Sequence, residues 1–248
     1  MDFQRMKSSQ TFIHMKGIGP KANLKLIEAG INHWGLALDA SEELPLTKSK
    51  RDSFLTELDY WCQEIKHDRW TGLITALPPS DHWRVLADNL QRCSYFDIET
   101  DGLSMYEGEP TVIVCYHKGK VFTYTNGDNL DDFPKLLDQV EMLVSFNGSS
   151  FDVPYVQTYF NIPTLPCPHL DLRWICYHKG LDGGLKSIEK QMGLQRDDAV
   201  CGVDGREAIY LWQKWKRYGM EDALDRLTTY CCADVLGLSH LAKELQFL

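Results

Sequence analysis

The sequence predicts an α/β protein, a mixed sheet flanked by helices and preceded by a small all-helical N-terminal region. Three observations carry this. Short apolar, strand-like runs cluster at 95–98, 111–116, 120–124 and 142–146, with helical stretches between and after them. Helical spacing dominates up to about residue 90. A long final helix is expected from about 220 to 245. Its apolar residues Leu224, Leu227, Cys231, Val235, Leu238, Leu241 and Leu245 recur every three or four positions.

Three regions follow. In the first, 1–40, a short helix and a tight turn at Gly17-Ile18-Gly19-Pro20 precede a second helix. Proline is favoured at the first helical position, and Leu24, Ile27 and the Gly30 stop outline a short amphipathic helix. The second, 41–90, is a helical connecting region. Phe54, Leu58, Trp61, Cys62 and Ile65 mark one helix, and Trp83, Leu86 and Leu90 a second, with Pro78-Pro79 between them. The third, 91–248, holds the strands, and Gly119 joins the second and third as a hairpin.

Bulk properties bound the function. A net charge of −9 argues against coating nucleic acid by charge alone, yet leaves a nucleic-acid enzyme open, because bound cations would offset a carboxylate cluster. No apolar run reaches 18 residues and the N-terminus lacks a signal-peptide layout, so a cytoplasmic protein without a membrane partner is expected. The eight cysteines are scattered without a C-x-x-C pair, and reduced thiols are the expectation.

Carboxylates stand in apolar settings. Alternation along Tyr95-Phe96-Asp97-Ile98-Glu99 puts Asp97 and Glu99 on one face, with Phe96 and Ile98 on the other. Two acids so placed cannot both ionise cheaply in a low-dielectric site without a cation, although a solvated strand end reads equally well from this motif alone. Thr100-Asp101-Gly102 forms a turn, placing the pair at the carboxyl end of its strand. Asp152 opens a helix after the Asn147-Gly148 turn, where attraction to the helix dipole is also a sufficient reason for it. Tyr230 and Asp234, four apart on the last helix, are neighbours flanking its apolar stripe.

Taken together, D-x-E, N-x-x-x-F-D and Y-x-x-x-D resemble the motif set of DEDD-type 3′–5′ exonucleases of the tyrosine subgroup, whose fold is ribonuclease H-like. The segments 96–103, 145–154, 169–172 and 183–189 are similar to YprB-type ribonuclease H-like domains of bacteria. They are more distantly similar to the proofreading domain of family B DNA polymerases. The resemblance spans about 94–245. It implies that Asp97, Glu99, Asp152 and Asp234 hold two Mg²⁺ or Mn²⁺ ions, and that Tyr230 orients or helps deprotonate the attacking water. It implies nucleic acid as partner, single-stranded with a free 3′ end. Thr100 and Asn147 are the candidate substrate contacts nearby, Asn147 reading equally as a brace for its turn. His169 and Asp171 read as structural supports, with extra ligands as the other reading. Cys231-Cys232-Ala233 depart from relatives that carry asparagine or an acid there.

The segment Lys16-Gly17-Ile18-Gly19-Pro20-Lys21 resembles a helix-hairpin-helix turn, although lysine precedes Gly17 where proline is frequent. Its glycines and the following helix start would admit a phosphate, making Lys16, Gly17, Gly19 and Lys21 candidate contacts. A hairpin that only packs on its neighbours is the other reading. Trp174, Tyr177, Trp212 and Trp215 could stack bases or fill the core. Two rivals to an exonuclease remain: a ribonuclease H-like module that binds without cleaving, and a structure-specific endonuclease on the same fold.

Overall fold

In the computed structural model, which describes residues 2–194, 204–245 and 247, the chain divides into two units, Met1–Asn89 and Leu90–Leu248. The first unit contains α1 (Pro20–Glu28), α2 (Trp34–Asp39), α3 (Lys48–Lys66), α4 (Trp70–Ala76) and α5 (His82–Asn89). Phe12, Leu26, Trp34, Phe54, Leu58, Ile65 and Leu73 are buried in it. Asp88 ties the N-terminal segment to α5 by accepting the N–H groups of Lys7 (2.7 Å) and Ser8 (2.9 Å).

The short helix expected before the Gly17 turn is not an α-helix. Only a 3-10 turn forms, at Ser8–Gln10, and turns and irregular backbone follow it to Pro20. Thr11, Phe12 and Ile13 are poor helix formers. The Phe12 N–H is also drawn to Asn23 Oδ1 at 2.9 Å, away from any helical partner.

The second unit is built on a five-stranded mixed sheet of β1 (Cys93–Thr100), β2 (Pro110–His117), β3 (Lys120–Thr125), β4 (Met142–Ser145) and β5 (His169–Asp171). Their order is β3-β2-β1-β4-β5. The strands β1, β2 and β3 pair antiparallel, whereas β4 runs parallel to β1, and β5 parallel to β4. Between β2 and β3, Lys118 (φ 47°) and Gly119 (φ 79°) make a two-residue loop with both residues at positive φ, which suits the right-handed twist of a hairpin. The helices are α6 (Phe133–Leu137), α7 (Asp152–Tyr159), α8 (Leu172–His178), α9 (Leu185–Gln191), α10 (Gly205–Tyr218) and α11 (Glu221–Leu245).

The two sheet faces are chemically distinct. Phe96 and Ile98 of β1 join Ile113, Phe133, Leu136, Leu143, Tyr155 and Val156 in one apolar cluster, against α6 and α7. On the other face α11 lies across β1 and β2. The apolar stripe expected on α11 is buried except at half-buried Leu224. Both faces of the central strand are therefore covered, as parallel pairing to β4 requires. Among the described residues no helix is long and apolar enough to cross a membrane. Seven cysteines are free thiols, and Cys201 lies outside the described residues.

Phe133 is fully buried, with its ring centroid 6.2 Å from Phe96 and 5.5 Å from Tyr124. Truncation leaves a cavity in the apolar cluster that Phe133 shares with Phe96 and Tyr124. Phe133→Ala should destabilise the protein by about 3–5 kcal/mol, read as a lowered midpoint in urea unfolding.

Candidate active site

Strand alternation delivers Asp97 and Glu99 from β1 to the face covered by α11, opposite the apolar cluster. Asp97 and Glu99 are half-buried and Asp234 is buried, and one carboxylate oxygen of each lies within 4.8 Å of the others. A register shift between Glu99 and Thr100 ends regular pairing with β2 next to this point. Tyr230, one helical turn before Asp234, is buried too, and the Asp234 carboxylate acts on its phenol.

Asp152 arrives by a different route. Strand β4 runs parallel to β1, so the loop after it returns the chain to the carboxyl end of β1. Asp152 is buried at the first position of α7, and its Oδ1 accepts the Ile98 N–H at 3.2 Å. Its oxygens do not join the 4.8 Å group of Asp97, Glu99 and Asp234. It is nevertheless their neighbour by charge, because it raises the pKa of both Asp97 and Glu99.

The electrostatics follow from burial and crowding. Burial first, then the charges of Asp152, Asp234 and Glu99, push the Asp97 carboxyl well above its ordinary range. Glu99 is raised to about 8 by burial and by Asp234 and Asp152, with the Lys186 ammonium pulling the other way. Asp152 is raised to about 7 by burial, against backbone hydrogen bonds that lower it. Burial and the charges of Asp234, Glu99 and Asp97 raise the Tyr230 phenol, so it stays protonated. Hard oxygen donors set close together and resisting ionisation are the set that a small divalent cation satisfies.

The loop at 147–151 is held from β5. Asp171, buried at the N-cap of α8, accepts the N–H groups of Asn147 (2.7 Å), Ser149 (3.1 Å) and Arg173 (3.0 Å), and the Ser149 hydroxyl. This fixes Asn147 at φ 62°, while its Oδ1 accepts from Arg173 Nη1 at 2.5 Å. His169 Nε2 and Ser145 Oγ are 2.8 Å apart, and burial lowers the imidazole to about 4, so it is neutral. Gly148 sits so close that an added Cβ would overlap Ser145 Oγ. The Thr100 side chain is buried and its Oγ1 accepts the Gly102 N–H at 3.3 Å, bracing the turn after β1.

Two further residues stand at the site. Cys231 Sγ lies 3.5 Å from Asp97 Oδ2 and 3.6 Å from its carbonyl oxygen. The spacing could have shown it, since Cys231 is three residues before Asp234 on α11. Lys186, on α9, places its ammonium 4.5 Å from the centre of the Tyr230 ring. No periodicity marks it, because the contact joins distant elements. In the N-terminal unit, Lys16, Gly17, Gly19 and Lys21 are exposed. Gly17 has φ 81°, Gly19 caps α1 without a side-chain bond, and the Lys16 N–H is held by Glu57 Oε2 at 2.7 Å.

A mixed five-stranded sheet with acids converging at the carboxyl ends of adjacent parallel strands defines a ribonuclease H-like domain. The RNase H superfamily profile matches residues 94–246, more than half of the chain, and the chain belongs to that superfamily. Among solved structures, the family B DNA polymerase of the hyperthermophilic archaeon Pyrobaculum calidifontis is similar, with a TM-score of 0.50 and 15% identity. The match covers 62% of this chain and 24% of the polymerase, and it shows a shared fold. No curated protein matches the chain.

Because Asp97, Glu99 and Asp152 hold protons more tightly folded than unfolded, the stability they contribute is complete below the ordinary carboxylate range. It is lost as pH rises through about 7 and 8, the raised values of Asp152 and Glu99. In EDTA the melting temperature should fall between pH 6 and pH 9, and Mg²⁺ or Mn²⁺ should restore more of it at pH 9. A pH-independent difference between the metal-loaded and EDTA-treated melts contradicts this. Separately, Gly148→Ala should lower the melting temperature by displacing the loop against Ser145.

Proposed function

We propose that this protein is a metal-dependent nuclease removing nucleotides from the 3′ ends of single-stranded DNA or RNA. The observation that carries the reading is the meeting of Asp97, Glu99 and Asp234 within 4.8 Å, beside the buried hydroxyl of Tyr230. With Asp152 as fourth acid, this set would hold two Mg²⁺ or Mn²⁺ ions, oxygen donors without sulfur suiting those metals. The chemistry that such ions would supply there is a lowered pKa for an attacking water and stabilised charge on the leaving oxygen.

The chain's own groups supply position and proton control. The carboxylates of Asp97, Glu99 and Asp234 form the negatively charged floor on which cations, and through them phosphate, are received. Without metal, burial and its acidic neighbours hold Tyr230 protonated, a form whose hydroxyl orients the water by hydrogen bonding. Lys186 places positive charge over the Tyr230 ring, where it would attract a phosphate oxygen. In the hydrolysis the water oxygen bonds to phosphorus, and the bond from phosphorus to the 3′ oxygen of the preceding nucleotide breaks. That oxygen takes up a proton and a nucleoside 5′-monophosphate leaves. In the N-terminal unit, Lys16, Gly17, Gly19 and Lys21 would bind backbone phosphate without regard to sequence.

The test uses 5′-labelled single-stranded DNA and RNA with Mg²⁺ or Mn²⁺, and a circular substrate beside the linear ones. Linear strands should shorten stepwise from the 3′ end, and circles should survive. Asp97→Ala and Asp234→Asn should each lose activity by at least about 10²-fold. Tyr230→Phe should lower kcat on the order of 10²-fold with metal affinity retained. Cleaved circles would identify an endonuclease instead, and full activity of Asp97→Ala would remove these residues from the site.

A further inference from the structure

Cys231 lies in the carboxylate centre yet takes no part in the hydrolysis just described. It is wholly buried on α11, three residues before Asp234, among the apolar residues Leu227, Val235 and Leu238 of the same helix. Helix packing accounts for its burial. It does not account for what the sulfur touches. Sγ lies 3.5 Å from Asp97 Oδ2 and 3.6 Å from the Asp97 carbonyl oxygen, so a side chain of α11 meets one residue of β1 at two acceptors.

The donors around the neighbouring acids are of a different kind. Asp171 accepts the backbone N–H groups of Asn147, Ser149 and Arg173, and Asp152 accepts that of Ile98. Among the described residues the Cys231 thiol is the one hydrogen-bond donor to the Asp97 carboxylate. A thiol is a weak donor with a single proton, so it serves Oδ2 or the carbonyl oxygen but not both fully. The spacing also suits sulfur. A hydroxyl bonds its acceptor at about 2.7–2.8 Å, and at this separation it would have to pull the carboxylate towards α11. With Sγ fixed by packing, rotation of the S–H bond is the movement left to the group.

We propose that Cys231 is a positioning residue for Asp97, its S–H bond turning from the carboxylate to the carbonyl oxygen as a cation is received. The proposal rests on the reading of these carboxylates as a metal centre. Without metal the thiol donates to Oδ2 and holds the carboxylate in one rotation among repelling neighbours. When a cation is held, the thiol donates to the carbonyl oxygen instead, so Oδ2 is released and no buried donor is left unpaired. A stronger donor without a second acceptor would compete with the cation for the same oxygen. The thiol therefore orients a ligand without resisting its use.

The test follows the thiol directly, with the full chain and Mn²⁺ in the absence of nucleic acid. Infrared difference spectra, Mn²⁺ minus EDTA, read the S–H stretch, a region where other protein groups do not absorb. One S–H band should shift in the parent. That shift should be missing from Cys231→Val, which nearly keeps the volume and has no donor. Calorimetric titration gives the second measurement. Cys231→Val should bind Mn²⁺ about fivefold more weakly, the size of one weak hydrogen bond to a charged group. A role in packing alone would move neither the band nor the affinity. Cys231→Val binding Mn²⁺ like the parent, or no S–H shift in a parent that binds it, would overturn the proposal. Where Cys231→Val fails to fold, the parent's difference spectrum decides by itself. A parent that binds no Mn²⁺ sinks the metal-centre reading and this proposal with it. Tight binding with an unmoved band sinks the thiol's role alone.

Discussion

Everything around the site depends on one constraint: Asp97 cannot be ionised where it stands without a compensating charge. It is on the central strand, beneath α11, with Asp152, Asp234 and Glu99 close enough to raise its pKa further. A buried carboxylate without a partner costs several kcal/mol, and like-charged neighbours add to that cost. Among the described residues the charges that act most on Asp97 are themselves carboxylates, those of Asp152, Asp234 and Glu99. Lys186 acts on Glu99 in the opposite sense, less strongly than burial, Asp234 or Asp152. Acids crowded around a carboxylate withdrawn from water make a site that a bound positive charge stabilises. Protons serve while no cation is bound, and a divalent cation serves better because it satisfies several oxygens at once.

Holding repelling groups in place requires rigidity from outside the cluster. Two devices provide it. Asp97 and Glu99 are locked by a strand paired on both sides, with Phe96 and Ile98 sealed into the apolar cluster behind them. Asp152 depends on a loop, and loops are soft unless bonded. Asp171 supplies those bonds by gathering the N–H groups of Asn147 and Ser149 while capping α8. The same carboxylate therefore fixes the second acidic motif and the helix that carries Arg173. Its charge also raises Asp152, so the geometric support is given against an electrostatic repulsion.

Much of this was legible in the chain. Period-two alternation put Asp97 and Glu99 on the face away from Phe96, and three-four spacing put Tyr230 beside Asp234. Both are local rules, and the structure obeys them. What the sequence could not show was distance between segments. Nothing local states that Asp152 bonds Ile98 and stays out of the Asp97–Glu99–Asp234 group, or that Lys186 crosses to Tyr230. Cys231 was readable as apolar stripe, and it is buried there, yet its sulfur also touches Asp97. The helix expected before Gly17 failed for a related reason. Asn23, from the following helix, takes the Phe12 N–H, and a tertiary bond outweighed a weak local preference.

The tyrosine shows how far the electrostatics constrain chemistry. A phenol is a general base only as phenolate, and three carboxylates around Tyr230 oppose that form. The Lys186 ammonium over the ring favours the phenolate, but burial and the acids outweigh it, and the shift is upward. While the phenol keeps its proton, the hydroxyl oxygen has lone pairs with which to accept a hydrogen bond from water. Tyr230 is therefore suited to hold a water at a fixed angle, and removal of that water's proton falls to another group. A cation drawn into the carboxylates would weaken the opposition to phenolate while making the water itself more acidic, so the need for a basic tyrosine falls as the means of producing one appears.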